Sequence, residues 1–134
     1  MTKLENIEGI GTRFAGQLRK AGVGSSKTLL KRGASAAGRR KIAQLSGISE
    51  KLVLEWVNHV DLFRVTGIGE EYADLLEEAG VDTVPELAQR NFDHLHQQLM
   101  DINRAKNLVR RPPSRKMVFQ WVRQAGKLPR VIEY

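Results

Sequence analysis

The chain has 134 residues, of which 41% are hydrophobic and 28% charged, a balance typical of a globular protein with one ordinary domain or two very small ones. It contains no cysteine, which excludes disulfides, thiolate zinc sites and cysteine nucleophiles; this fits a reducing compartment, and we expect a cytoplasmic protein. No apolar run approaches the roughly 20 residues that a membrane span needs, so we expect no membrane partner.

The net charge of +7 is distributed unevenly along the chain. Residues 1–60 carry eleven basic and four acidic side chains, residues 61–103 carry two basic and ten acidic, and residues 104–134 carry nine basic and one acidic. A basic excess is a hint of polyanion binding. An acidic block between two basic ones also indicates a polarised surface or self-association.

The first predicted element is a helical hairpin around the stretch GIGTRFAGQLRKAG, residues 9–22. A Gly-Ile-Gly turn is followed by an amphipathic helix with Phe14, Leu18 and Ala21 on one face. Gly22 stands where such a helix ends in a left-handed residue. The turn glycines permit backbone angles that other residues resist.

The next predicted helices begin at serines. Ser35 is a predicted N-cap and Gly47 a predicted stop, and Ser49 is expected to cap a helix whose apolar stripe includes Trp56. A tryptophan on an apolar stripe is expected to anchor the core rather than contact a ligand. No segment alternates for long enough to indicate a strand, with the exception of residues 130–134.

The pattern of the first half then returns, with Gly67 in the place of Gly9. Gly67 lies 58 positions after Gly9. The residues that have an identical or similar residue 58 positions later are Leu4, Ile7, Gly9, Ile10, Gly11, Ala15, Leu18, Ala21, Gly22, Val23 and Leu29. Trp56 recurs as Trp121 at a larger offset, so the second copy has an insertion, expected near 103–114. We therefore predict two copies of one unit, residues 1–60 and 61–126, followed by a tail of residues 127–134.

The second copy has its own start signals. Thr83 followed by Glu86 is a capping-box pattern, and Asp93 and Ser114 are predicted N-caps. All predicted elements are helices, about ten short ones in total. The expected fold is therefore all-α, with the two copies packed as one compact pseudo-twofold domain.

LENIEGIGTRFAGQLRKAGV and LFRVTGIGEEYADLLEEAGV, one in each copy, resemble the helix-hairpin-helix motif. The paired motifs are expected to make two tandem helix-hairpin-helix repeats. Over its whole length the chain also resembles the uncharacterised bacterial family called domain of unknown function 4332, which supports the fold and implies no activity. In the helix-hairpin-helix family the amides of the turn contact the nucleic-acid backbone without reading bases.

Carried over to this chain, the resemblance implies contacts from the turn backbone of Gly9, Ile10 and Gly11, with a hydroxyl from Thr12 and a charge from Arg13. The helix after the turn presents unpaired N–H groups and its positive dipole end, which suit a phosphate. The side chain of Ile10 is expected to fill the core. The second hairpin places Glu70 and Glu71 where a phosphate would bind, so the prediction is restricted to the first.

Further basic residues are candidate contacts to a phosphate backbone because cations give sequence-independent affinity. They are Arg39, Arg40, Lys41, Arg110 and Arg111. The predicted function is a non-catalytic module that binds nucleic acid, duplex DNA rather than RNA. The alternative is a protein-interaction or scaffold module with no nucleic-acid role, through a protein partner or self-association of the acidic region 70–86. No catalytic constellation, metal site or cofactor motif is evident, and we expect no small-molecule substrate.

Overall fold

A computed structural model of the chain describes residues 3–7 and 9–134. The fold is all-α, as predicted, and the described residues form eight α-helices, two short 3-10 helices and no strand. The 3-10 helices are Leu4–Asn6 and Leu62–Arg64. The α-helices are α1 (Gly11–Lys20), α2 (Ser26–Gly33), α3 (Ala36–Ser46), α4 (Glu50–Asp61), α5 (Glu70–Glu78), α6 (Val84–Ala88), α7 (Phe92–Lys106) and α8 (Arg115–Ala125).

The chain divides into two compact units. Unit 1 extends to Asp61 and includes Val131–Tyr134, and unit 2 is Leu62–Arg130. Each unit therefore contains one 3-10 helix followed by four α-helices in the same order. None of the described helices is long and apolar enough to cross a membrane.

Serine side chains start several helices, as the sequence predicts. Ser35 Oγ accepts from the N–H of Gly38 at 3.0 Å at the start of α3. Ser49 Oγ accepts from Leu52 N–H at 3.2 Å, and Ser114 accepts similarly from the third residue beyond it, at 3.1 Å. Each bond satisfies one of the N–H groups that a helix leaves unpaired at its N-terminus.

Two predicted start signals differ from the structure. The N-cap of α7 is Asn91, whose Oδ1 accepts from the N–H of His94 at 3.1 Å, so the prediction of Asp93 as the cap is wrong. At α6 the side chain of Thr83 makes no cap bond. Glu86 instead accepts from the backbone N–H of Asp82 at 3.1 Å, one residue before the partner that a capping box predicts.

Left-handed glycines end three of the described α-helices, among them α3, which ends at the predicted stop Gly47 with φ +76°. Gly22 has φ +85° and Gly80 has φ +84°. After α1 the N–H of Gly22 donates to Arg19 C=O and that of Val23 to Leu18 C=O. The corresponding bonds follow α5, which makes both ends Schellman motifs. Each motif turns the chain sharply toward the next helix.

Each unit buries a tryptophan against an aromatic residue of the helix that follows the glycine turn. In unit 1, Trp56 is 3% exposed and its ring centroid lies 5.2 Å from that of Phe14. In unit 2, Trp121 is 2% exposed and lies 5.1 Å from Tyr72. The prediction that both tryptophans anchor a core is confirmed. Tilted aromatic pairs at these distances add to the stabilisation from buried area.

The residues predicted as a tail are not all a tail. Val131–Tyr134 belongs to unit 1, and the N–H of Glu133 donates to Ala34 C=O at 2.7 Å. Ile132 is buried. The segment has no regular secondary structure, so the exception that the sequence left for a strand at residues 130–134 is not realised.

Candidate nucleic-acid interface

The first glycine turn exposes backbone and buries one side chain. Gly9 and Gly11 have φ +85° and +60° and are exposed. Between them, Ile10 is 2% exposed, as expected for a side chain that fills the core. The N–H of Ile10 donates to Ile7 C=O at 3.0 Å, which closes the turn. The left-handed angles favour glycine, because a Cβ is disfavoured in that region.

The helix after this turn begins without a side-chain cap. Among the described residues no side chain accepts from the N-terminal amides of α1, and the first turn of the helix contains no acidic residue. Thr12 and Arg13 are exposed there, and Arg13 forms no ion pair with another described residue. The unpaired amides, the positive end of the dipole, a hydroxyl and a free guanidinium therefore lie together at one end of α1.

The second glycine turn differs in geometry and in charge. Gly67 has φ +94°, but Gly69 is extended with φ −105°, whereas Gly11 is left-handed. Glu70 and Glu71 occupy the first turn of α5. Two carboxylates at this position satisfy the helix dipole and repel an external anion.

Two arginines expected to support phosphate binding lie beside the second turn. Arg110 and Arg111 are exposed in the loop after α7. With the second turn they line a surface depression of about 490 Å³, whose lining residues are Gly67, Gly69, Glu70, Glu71, Tyr72, Arg110 and Arg111. These two cations therefore face carboxylates of their own unit.

The side chains of Asn103 and Tyr72 position the loop that carries Arg110 and Arg111. Asn103 donates from Nδ2 to Val109 C=O at 3.1 Å and accepts from the N–H of Val109 at 2.9 Å. Tyr72 Oη donates to Arg111 C=O at 2.9 Å. The loop lies in the region where the sequence predicts the insertion of the second copy.

Arg39 differs from the expectation of an exposed cation. The residue is 5% exposed. Its Nη1 donates to Gly33 C=O at 2.8 Å and to Ala34 C=O at 3.1 Å, and its Nη2 donates to Glu133 C=O at 2.7 Å. The guanidinium also lies 5.9 Å from the ring centroid of Tyr134. Arg39 therefore satisfies backbone carbonyls inside unit 1 and is not available to a ligand.

Its two neighbours in sequence, Arg40 and Lys41, are exposed. Arg40 Nε is 3.9 Å from a carboxylate oxygen of Glu50 on α4. Lys41 lines a hollow with Ala21, which follows the last residue of α1. Since α1 has ten residues and a helix rises about 1.5 Å per residue, Lys41 lies near the end of α1 opposite the turn. Of the predicted basic contacts, Lys41 therefore does not lie beside the first turn.

The acidic and basic blocks of the sequence are paired inside unit 2. Lys106 Nζ lies 2.6 Å from Glu78 Oε2. Arg115 donates to Asp93, and this hydrogen bond lowers the pKa of the aspartate carboxyl. With Asp101, which pairs with Arg104, three of the acidic side chains in 61–103 thus have a cationic partner within the same unit. Exposed ion pairs of this kind contribute little stability.

In unit 1 the cations outnumber their acidic partners. Arg19 donates to Glu5 at 2.7 Å, which lowers the pKa of that carboxyl. Arg40 Nε lies 3.9 Å from a carboxylate oxygen of Glu50. The basic side chains without an ion pair to a described residue include Arg13, Lys20, Lys27, Lys31, Arg32, Lys41 and Lys51. Unit 1 therefore has the larger unpaired positive charge.

The sequence interpretation missed an arginine that recurs with the repeat. Arg32 Nη1 donates to Ala21 C=O at 3.4 Å, and Arg90 Nη1 donates to Ala79 C=O at 3.1 Å. Each arginine thus reaches back to the carbonyl that precedes a left-handed glycine. The available signal was that the two arginines are separated by the same offset as the glycines of the two turns.

A family model described as Domain of unknown function (DUF4332) matches residues 8–128. The match covers both glycine turns and both tryptophans. No curated protein and no solved structure matches the chain.

Proposed function

Since the chain belongs to the family described as Domain of unknown function (DUF4332), which names no activity, we propose a function from the geometry of the first glycine turn. The protein is a non-catalytic module that binds the phosphate backbone of nucleic acid, duplex DNA in particular, without reading the bases. The proposal includes a cytoplasmic location, where such a module meets its ligand.

We also propose that the two units are tandem helix-hairpin-helix repeats. Three parallels support this. Both units have the same order of helices, both place a Schellman motif after the helix of the glycine turn, and both bury a tryptophan against an aromatic of that helix. The arginines at positions 32 and 90 add a fourth parallel, because each donates to the carbonyl before the left-handed glycine.

One observation carries the functional proposal: among the described residues no side chain caps the N-terminus of α1, its first turn has no acidic residue, and it is exposed beside two left-handed glycines. A phosphate oxygen placed there accepts from backbone amides and lies on the positive side of the helix dipole. Thr12 and Arg13 add a hydroxyl donor and a positive charge at the same end. Backbone donors cannot distinguish bases, so the expected binding is independent of sequence.

The remaining basic residues have different parts in this proposal. Lys41 and Arg40 lie outside the turn and contribute general attraction to a polyanion rather than a defined contact. Arg110 and Arg111 neutralise the second turn. Arg39 has a structural part only, because its donors are used by carbonyls.

The test is a titration of a fluorescently labelled duplex, followed by anisotropy at several salt concentrations. Wild type is compared with Arg13→Glu and with Lys20→Glu. Lys20 is a matched control because it is exposed on the same helix, near the opposite end, and has no ion pair with a described residue. We expect Arg13→Glu to weaken binding by at least about tenfold and to lower the slope of log affinity against log salt by about one or more.

Lys20→Glu is expected to have a much smaller effect. Equal losses in the two variants would show that net charge, not the turn, governs binding. No binding by wild type at low salt would overturn the proposal and favour the alternative, a protein-interaction module with no nucleic-acid role. Circular dichroism of both variants establishes that each is folded.

A further inference from the structure

A hollow of about 390 Å³ lies at the C-terminal end of α1. Its lining residues are Ala21, Arg32, Gly38, Lys41, Ile42 and Leu45. The volume is within the range of sites that hold small ligands or side chains. The hollow lies at the end of α1 opposite the glycine turn, so an inference about it does not depend on the proposed function.

The guanidinium of Arg32 occupies space at this hollow that is open because Gly22 has no side chain. A Cβ on Gly22 would lie 2.5 Å from Nη1 of Arg32, and the φ of +85° also favours glycine there. The guanidinium lies over the end of α1, where its bond to Ala21 C=O is long at 3.4 Å. A guanidinium has five N–H donors, so most of its hydrogen-bonding capacity is unused by the described protein.

Arg90 of unit 2, which corresponds to Arg32 in the repeat, has a side-chain acceptor in addition to a backbone carbonyl. It donates to Ala79 C=O at 3.1 Å and also to Oε1 of Gln98, on the next helix. Gln98 in turn donates to the same Ala79 carbonyl at 3.3 Å. At the offset that relates Arg32 to Arg90, the counterpart of Gln98 is Arg40, a cation that cannot accept. Arg32 therefore lacks the acceptor that satisfies Arg90.

The rest of the hollow combines positive charge with apolar surface. Lys41 supplies a second cation without an ion pair to a described residue. Ile42 is buried at 3% exposure, whereas Leu45 is 58% exposed and lines the same hollow as the two cations. The matching ligand has a carboxylate for the cations and an aliphatic group to cover Leu45.

We propose that this hollow binds an acidic segment of a partner protein, in which a carboxylate side chain lies next to a branched aliphatic side chain. The carboxylate supplies the acceptor that Arg32 lacks, and the aliphatic group removes the exposed part of Leu45 from water. The apolar surface favours a peptide over a phosphate backbone. A phosphate backbone would satisfy the cations but would leave Leu45 exposed to water.

The test uses backbone amide spectra of the isotope-labelled full chain, because NMR detects weak binding at single residues. The probe is an acetylated, amidated nonapeptide with a central Leu-Asp-Glu-Leu sequence and Gly/Ser flanks. A second peptide replaces Asp-Glu by Asn-Gln, and a third replaces both leucines by serine. We expect saturable shifts confined to amides around Gly38, Lys41 and Leu45 for the first peptide, and affinities at least about tenfold weaker for the other two.

Protein variants complete the test. Arg32→Gln and Leu45→Ser are each expected to weaken the first peptide about tenfold, whereas Lys27→Gln, an exposed cation outside the hollow, leaves its affinity unchanged. The inference is overturned if no saturable shift appears at peptide concentrations up to about 5 mM, since binding weaker than this lies below any affinity expected of a specific contact. It is also overturned if the Asn-Gln peptide binds equally well, or if duplex DNA shifts the hollow amides and the peptide does not.

Discussion

Arg39 shows how a helix divides a run of like charges. Arg39-Arg40-Lys41 is a continuous basic stretch in sequence, which favours a surface patch. Successive residues of a helix differ in direction by about 100°, so the three cannot share one face. Arg39 lies on the stripe with Ile42 and Ser46, both buried. This phase was present in the sequence, but the carbonyl partners came from α2 and from Glu133, which no local pattern indicates.

We expect Arg39→Met to lower the free energy of unfolding by about 2–3 kcal/mol, because buried carbonyls lose a charged donor. Arg40→Met, an exposed change next to it, is expected to cost no more than about 0.5 kcal/mol. Urea unfolding followed by far-UV circular dichroism measures both. Equal stability of the two variants would contradict a structural part for Arg39.

At the scale of elements, the sequence was sufficient to predict the end of a helix where that end depends on a single residue. Gly22 and Gly80 end their helices as predicted, since a left-handed residue is needed and glycine adopts it freely. The start of α7 depends on packing instead. Phe92, the first residue of α7, packs against Phe119 at a centroid distance of 4.9 Å, and Asn91 before it is the cap.

The two glycine turns give the same lesson about local sequence. Both read Gly-Ile-Gly, but Gly11 is left-handed and Gly69 is extended. The triplet therefore predicts a turn and does not determine its last residue. The difference in the following pair, Thr12-Arg13 against Glu70-Glu71, accompanies the difference in backbone.

Asn91→Ala is expected to lower the free energy of unfolding by about 1 kcal/mol, the usual cost of losing an N-cap. Asp93→Asn removes only an exposed pair with Arg115 and should cost less. Because the pKa of Asp93 is lowered in the folded state, its contribution is present above the unfolded pKa and disappears as the pH falls through the folded pKa. Urea titrations at neutral and acidic pH separate the variants, and a larger loss from Asp93→Asn would contradict the cap assignment.

At the scale of the whole molecule, the sequence indicates three charge blocks. In the fold, side chains of the acidic block 61–103 form ion pairs with side chains of the basic block 104–134. Glu78 and Lys106 are 28 residues apart and Asp93 and Arg115 are 22 apart, and both pairs close within unit 2. Composition gives the total charge but no information about which charges meet. The expectation of a separate acidic surface therefore needs a test.

We expect the protein to remain a monomer of 15.1 kDa at low salt, since two acidic side chains of unit 2, Glu78 and Asp93, have cationic partners within that unit. Light scattering coupled to size exclusion, from about 20 mM to 500 mM salt, measures the mass across a wide range of screening. A larger mass at low salt that falls as salt rises would support self-association through region 70–86 instead.

The position of Val131–Tyr134 has a consequence for the order of synthesis. Unit 1 is discontinuous, and its last segment is translated after the whole of unit 2. The Glu133 carbonyl that Arg39 uses is therefore absent while the part of unit 1 that ends at Asp61 emerges. Unit 1 cannot reach its final form on the ribosome before its successor has been made, and a fragment cut between Asp61 and Leu62 would lack the same acceptor.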